Sequence, residues 1–413
     1  MIKAVRGMKD ILPEEIPLWQ KVEETARDVF ETYLYHEIRT PILEPTELFS
    51  RSIGEATDIV EKEMYTFEDS HQQLSMRPEN TAGVVRALIE NRLQDLRGSQ
   101  RYYYIGPMFR RERPQKGRFR QFHQIGVEAF GDAGPYVDAE IIQMLARFFR
   151  RLGIDAYEVR INSLGCRSCR PLYIEKLRAA MDAASATLCE DCQRRRDKNP
   201  LRVFDCKTDQ EQLASFPVIT DNLCAACQEH FDGFLSSLKK MAIPSIVYPS
   251  LVRGLDYYTR TTFEFVSTSD ALGSQNSLLG GGRYDGLVQV LDGPVLCGIG
   301  FALGVERLIM ALPDVLQEAP LCYYVAHIEN EGFARALTLA ERLRDHGVAV
   351  AVGNPLKTIK AQFKEADKMG ATTVFVIGPD EAKQGVVTIK DMKTGEQRSV
   401  PESEVMADIT ERA

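Results

Sequence analysis

The sequence predicts an α+β protein whose strand-rich first part is interrupted by a helical, cysteine-rich insertion and followed by a separate α/β domain. Three observations carry this. Residues 101–130 hold two strand patterns joined by a run of arginines. Seven of the nine cysteines fall between Cys166 and Cys227. From residue 322 onward, strand and helix patterns alternate. The expected boundaries are 1–163 and 241–320 for a split first domain, 164–240 for the insertion and 322–413 for the last domain.

At 413 residues the chain is long enough for two or three domains and a large core. Its formal net charge of −8 excludes a uniformly basic surface, so a nucleic-acid partner must be met by a local patch. No apolar run reaches membrane-spanning length, and MIKAVRGMKDILPEE has no apolar signal core. The expectation is a cytoplasmic protein with reduced thiols and no membrane partner.

Residues 17–35 have helical spacing, with Leu18, Val22, Ala26, Val29, Phe30 and Leu34 on one face. After the extended break Pro41–Pro45, LFSRSIGEATDIVEKEMYTF starts as a polar loop containing Gly54. Met64, Tyr65 and Phe67 begin a strand. RPENTAGVVRALIEN is a strand end entering a helix, with Thr81 as N-cap and Val84, Val85, Leu88 and Ile89 buried. Glu79 stands just before that helix, where a carboxylate serves either as a cap or as the partner of an amine.

In the 101–130 hairpin, Tyr102, Tyr103, Tyr104 and Ile105 are strand formers, and Gly106-Pro107 marks an exit. On the return strand, Ile125, Val127 and Ala129 point to a core, and Phe122, Gln124, Glu128 and Phe130 point the other way. A face bearing a carboxylate and an amide is costly to bury without partners. The joining segment supplies Arg110, Arg111, Arg113, Lys116, Arg118 and Arg120 against the one acid Glu112. This is either a solvated basic hairpin or a polar floor under a cationic rim, suited to a small polar ligand and a polyphosphate. Asp138–Leu152 follows as an amphipathic helix and Tyr157–Ile161 as a strand.

The insertion carries Cys166-x-x-Cys169 and Cys189-x-x-Cys192, then Cys206, Cys224, Cys227 and His230. The spacings suit structural zinc. One pairing is a four-thiolate set plus a set of Cys206, Cys224, Cys227 and His230; other pairings, or plain reduced thiols, satisfy the same sequence.

Ile246–Val252 is a strand pattern leading to RGLDYYTRTTFEF, where Arg253, Asp256, Tyr257 and Tyr258 are polar residues in an apolar setting, with Asp256 a natural partner for Arg253. Thr262–Phe265 alternates as a strand. Three consecutive glycines in LLGGGRYDGL weaken a strand unless backbone or ligand approaches closely. GIGFALGVERLIMAL is a strand turning into a helix, with Arg307 near the positive helix end, where a cation is disfavoured unless it faces an anion. Residues 322–413 give strand Tyr323–His327, helix Gly332–His346, strand Val348–Val352, helix Lys357–Met369, strand Thr373–Ile377 and a hairpin at Lys393-Thr394-Gly395. Twelve basic against fourteen acidic residues there give no charge signal for RNA.

Taken together these stretches resemble the class II aminoacyl-tRNA synthetases, and within them the histidyl-tRNA synthetase family. MFRRERPQKGRFRQFHQIGVEAFG resembles the second class motif and GIGFALGVERLIMAL the third, while LVRGLDYYTRTTFEF and GGGRYDGL resemble the two histidine-specific signatures. The resemblance covers nearly the whole chain. It implies a six-stranded antiparallel catalytic sheet in a homodimer, with FSRSIGEATDIVEKEMYTF following the dimer-forming motif. It also implies an insertion reaching toward the acceptor stem and a C-terminal anticodon-binding domain. Substrates would be L-histidine, ATP with Mg2+, and tRNA(His). Arg110 would bind the α-phosphate, Arg307 the γ-phosphate and Phe122 the adenine; Arg253 would be the catalytic arginine. Glu79 and Thr81 would hold the amino group and Gln124 the carboxylate; Glu128 would accept from one imidazole nitrogen and Tyr258 bond the other, with Tyr257 also at the histidine. Asn80 departs from the glycine expected there, and the cysteine-rich insertion departs more. The alternative is an inactive paralogue serving as regulatory subunit of ATP phosphoribosyltransferase; such paralogues lack the last domain and signature residues, whereas residues 322–413, Arg253, Tyr258 and Arg307 are present here.

Overall fold

The computed structural model describes residues 1–54, 57, 59–96, 98–269, 272–273, 276–313 and 322–410. They form two compact units, one before and one after the stretch 314–321.

In the first unit, α1 (Ile16–Thr32) buries Trp19, Val22, Ala26, Val29 and Phe30. Leu34, expected on that stripe, lies past the helix end at a positive φ and is exposed; Tyr35 turns into the core instead. After β1 (His36–Glu37) and β2 (Leu43–Pro45), the stretch expected as a polar loop is α2 (Thr46–Ile53). Its Leu48, Phe49 and Ile53 are buried, a one-turn apolar spacing that outweighs its serines. Positions 55, 56 and 58 of that expected loop lie outside the described residues. β3 (Tyr65–Asp69) and β4 (Gln72–Met76) join β2 in a small antiparallel sheet.

α3 (Thr81–Glu90) has Asn80, not Thr81, at its N-cap position. The Glu79 carboxylate satisfies the first amides, accepting from the Thr81 N–H at 2.7 Å and the Ala82 N–H at 3.1 Å. That frees the Thr81 hydroxyl for another partner.

β5 (Gln100–Phe109) and β6 (Gln121–Phe130) pair antiparallel along their whole length. The strand does not exit at Gly106-Pro107 as expected, because both residues stay in the ladder and the Pro107 carbonyl also accepts from Arg77 Nε at 2.9 Å. α4 (Pro135–Arg151) and β7 (Tyr157–Ser163) follow. The insertion comprises α5 (Arg170–Ala183), α6 (Glu190–Lys198), α7 (Gln210–Leu213) and α8 (Ala225–Lys240). Of the run expected over 246–252, only β8 (Ile246–Val247) pairs as a strand; Pro249 lacks the donor to extend it. The unit closes with β9 (Thr259–Ser267), β10 (Ser277–Arg283), α9 (Leu287–Val290), β11 (Gly298–Gly304) and α10 (Val305–Met310).

These strands make one sheet in the order β1-β5-β6-β11-β10-β9-β7-β8. The inner run from β5 to β7 is antiparallel throughout, the six strands that the resemblance implies. The two outermost strands, each two residues long, lie parallel to their neighbours. One face buries Ile125, Val127 and Ala129 among residues of α1, α4 and α8. The opposite face carries the site.

In the second unit, β12 (Tyr323–His327), β13 (Val350–Val352) and β14 (Thr373–Ile377) are parallel. They alternate with α11 (Glu329–Asp345) and α12 (Ile359–Lys368). After α13 (Pro379–Gln384), β15 (Val386–Asp391) and β16 (Gln397–Pro401) form the expected hairpin on the β14 edge, and α14 (Val405–Thr410) follows. This mixed sheet agrees with the alternating pattern.

Candidate active site

The site is a cavity of about 210 Å3 over the middle of the large sheet. Its floor is β6 beside β11, where glycines leave room for larger side chains. A Cβ at Gly126 would lie 2.4 Å from the Tyr104 ring, and one at Gly300 2.0 Å from Glu128 Oε2. Glu128 is fully buried. Its Oε1 accepts from the Thr81 hydroxyl at 2.6 Å, and its Oε2 accepts from the Tyr284 hydroxyl. Burial raises its pKa to about 8, with Glu79 pushing the same way and the two hydroxyls opposing. Burial likewise raises Glu79, against the helix amides that lower it.

Of the residues expected in the site, Glu79, Thr81, Arg110, Phe122, Gln124, Arg253, Tyr257, Tyr258 and Arg307 all line this one cavity. Glu128, expected to meet the imidazole directly, does not line the cavity: it is fully buried beneath it, its two oxygens taken by the Thr81 and Tyr284 hydroxyls. Gln124 is buried, and among the described residues its amide oxygen has no partner.

The cationic rim is built from three separated stretches. Arg110 donates from Nε to the Pro78 carbonyl at 2.9 Å and lies 5.3 Å over the Phe122 ring. Arg118 pairs with Glu112 at 2.7 Å. Arg307 donates to the Gly117 and Ser277 carbonyls at 2.9 and 3.0 Å. Its pKa is lowered by burial first and then by Arg118, with Arg110 adding to the effect. Cations so crowded favour an anion between them.

Arg253 does not pair with Asp256 as expected. It reaches Glu264 of β9 at 3.4 Å, while Asp256 accepts from Asn199 of the insertion at 2.7 Å. The Arg253 guanidinium lies 5.8 Å from the Tyr258 ring centroid, and among the described residues its buried Nε has no hydrogen-bond partner. It crosses the glycine run, where a Cβ on Gly280 would lie 2.0 Å from Nη2. This is the close approach that three strand glycines require.

The sequence reading missed Tyr284, Tyr104 and Glu264. Tyr284 stands inside the quoted GGGRYDGL, but nothing in its spacing points at Glu128. The buried pair behind the site was also unread: Arg283 Nε donates to Asp138 at 2.8 Å, with both side chains fully buried.

The cysteines group differently from the pairing spelled out above. Cys166, Cys169, Cys224 and Cys227 form one set and Cys189, Cys192, Cys206 and Asp209 the other. His230 belongs to neither. It is buried with Nε2 3.5 Å from Asp138 Oδ2, because α8 turns it toward the catalytic sheet and not toward its neighbouring thiols.

A six-stranded antiparallel sheet with arginines converging on a polar floor defines a class II aminoacyl-tRNA synthetase fold. Residues 7–308 match the histidyl-tRNA synthetase family and residues 323–412 an anticodon binding domain. A histidine–tRNA ligase of Koribacter versatilis (strain Ellin345) is 48% identical over 98% of this chain and 95% of its own length. One from Oleidesulfovibrio alaskensis is 49% identical over 97% of each. The apo histidyl-tRNA synthetase of S. aureus matches with a TM-score of 0.81 at 36% identity, covering 98% of each chain. The chain belongs to the histidyl-tRNA synthetase family.

Proposed function

We propose that this chain joins L-histidine to tRNA(His) at the expense of ATP. In the first step a histidine carboxylate oxygen attacks the ATP α-phosphorus and the bond to the β-phosphate oxygen breaks, giving histidyl-adenylate and diphosphate. In the second, a hydroxyl of the terminal tRNA ribose takes the acyl group and AMP leaves. The observation that carries this reading is the convergence of Arg110, Arg253 and Arg307 on the cavity that Gln124, Tyr257 and Tyr258 also line.

Phosphoryl transfer asks chiefly for positioning and charge neutralisation. Arg110 and Arg253 take the α-phosphate and Arg307 the γ-phosphate. The orphaned Arg253 Nε supports this role, since a buried donor without an acceptor is costly until an oxygen arrives. Phe122 packs on adenine. Glu79 and Thr81 meet the histidine amino group and Gln124 its carboxylate. Tyr258 and Tyr257 flank the imidazole, and Glu128 sets its protonation through the Thr81 and Tyr284 hydroxyls. Among the described residues no group of three ligating side chains gathers in this cavity. Magnesium bound with ATP would offset part of the phosphate charge, and Arg110, Arg253 and Arg307 neutralise the rest.

The same reading includes a homodimer in the cytoplasm, residues 322–413 on the anticodon, the insertion of 164–240 toward the acceptor stem, and structural zinc in that insertion. The test is histidine-dependent exchange of labelled diphosphate into ATP, followed by charging of tRNA(His). Exchange with histidine alone among amino acids is expected. No exchange would return the chain to the regulatory-paralogue reading, and exchange with another amino acid would reassign the substrate.

A further inference from the structure

Each cysteine set of the insertion draws its members from distant parts of the chain. The first joins the turn before α5 to the start of α8, and the second joins the start of α6 to the loop before α7. The seven cysteines among them are free thiols, and the eighth member, Asp209, is a carboxylate. Within the first set, Cys166 Sγ lies 3.8 Å from Cys169 Sγ and 3.8 Å from Cys224 Sγ, and Cys169 Sγ lies 3.9 Å from Cys227 Sγ. In the second, Cys189 Sγ and Cys206 Sγ are 3.6 Å apart. A disulfide needs about 2.05 Å. Four thiolates about 2.3 Å from one tetrahedral zinc stand about 3.8 Å apart, the edge of that tetrahedron. The ligand atoms of each set lie within 4.8 Å of one another, the span of a single ion. A multi-iron cluster spreads its thiolates farther.

The surroundings suit thiolates. Cys169, Cys189 and Cys224 stand at the N-cap positions of α5, α6 and α8, where the helix dipole favours negative charge. The Cys166 N–H points at Cys169 Sγ at 3.2 Å and the Ser168 N–H at Cys166 Sγ at 3.4 Å. In the second set one Asp209 oxygen accepts from the Cys189 N–H at 3.0 Å, fixing the carboxylate beside the thiols. The core beside them is built from Tyr173, Leu177, Met181, Leu188, Val203, Leu213, Phe216 and Ile219.

We propose that the insertion binds two zinc ions in two separate tetrahedral sites, one with Cys166, Cys169, Cys224 and Cys227 and one with Cys189, Cys192, Cys206 and Asp209. The inference rests on thiol geometry and not on aminoacylation, so metal content tests it without any substrate. The full chain, purified without chelator or polyhistidine tag, is expected to carry two zinc ions per chain by elemental mass spectrometry. Cys224→Ser and Cys206→Ser are each expected to carry one, and His230→Ala to keep two. Where a variant does not fold, cobalt titration of the metal-stripped wild type replaces it, with two equivalents expected to give thiolate-to-metal charge-transfer absorption. Less than half a zinc per chain together with no such band overturns the proposal. So does iron in place of zinc, or loss of one zinc in His230→Ala.

Discussion

Thr81 donates its hydroxyl to Glu128 Oε1 at 2.6 Å, across 47 positions of sequence and with both side chains buried. It does so because Glu79 caps α3 in its place. Tyr284 holds the other oxygen of Glu128, so the carboxylate under the pocket is clamped between two hydroxyls.

Glu128 makes stability depend on pH. Its folded-state pKa of about 8 stands above the ordinary 4.5. Between these values the folded chain holds a proton that the unfolded chain gives up, so this group's contribution falls as pH rises through the window. Wild type is expected to lose up to about 1.4 kcal/mol per pH unit there, relative to Glu128→Gln. Urea unfolding of both proteins at intervals from pH 5 to 8.5 measures this difference. Parallel curves would mean that Glu128 is already ionised in the folded chain.

Arg253→Ala is expected to slow adenylate formation by about 100-fold or more, the scale of losing one donor aimed at developing charge. Histidine binding should change less. Gly280→Ala should act in the same direction, since the added methyl would occupy the guanidinium's place. Single-turnover adenylation with saturating ATP reads both. A near-wild-type rate in Arg253→Ala would remove that residue from the phosphate site.

Behind the pocket, Asp138 and Arg283 are fully buried, and the guanidinium also donates to the Asp132 and Gly134 carbonyls at 2.9 and 2.8 Å. Asp138→Ala removes one of that guanidinium's two carboxylate partners, Asp285 remaining at 3.1 Å from Nη1, and is expected to cost about 1.5–3 kcal/mol of stability, the scale of a hydrogen bond to a charged group. Chemical unfolding at neutral pH measures it, and a loss below about 1 kcal/mol would mean water or a shifted partner restores the pair.

The first cysteine set is tied to the Tyr258 wall. Arg170 donates to the Tyr258 carbonyl, and Leu164 N–H and Gly165 carbonyl both pair with Arg260. Cys224→Ser, which loosens that corner without touching substrate, is expected to lower kcat/KM for histidine by about tenfold or more, mostly through KM. Cys206→Ser serves as the comparison. Diphosphate exchange at varied histidine reads the effect, and equal KM in wild type and Cys224→Ser would show that the wall holds without the Cys224 thiol.

Much of this was legible from residues alone. Period-2 alternation placed Gln124 and Glu128 opposite Ile125 and Val127, because a strand that buries one face must point its intervening residues the other way. The glycine run in β10 announced a close approach, although not that Arg253 makes it. The α2 segment was misread because its serines and glycine outweighed a short apolar spacing. Thr81 was misread as a cap because Ser, Thr and Asp are equivalent in that pattern until a competing carboxylate is seen.

By itself the sequence determined the strand pair of 101–130, the alternating strands and helices of 322–413, the family, and which arginines and polar side chains are available. These follow from local periodicity, local conformational preference and motif order. Tertiary structure alone decided that Glu264 and not Asp256 faces Arg253, that Glu128 lies beneath Thr81 and Tyr284, and which thiols share a corner. Those facts are distances between residues far apart in the chain, fixed by sheet register and helix packing, and periodicity carries no information about them.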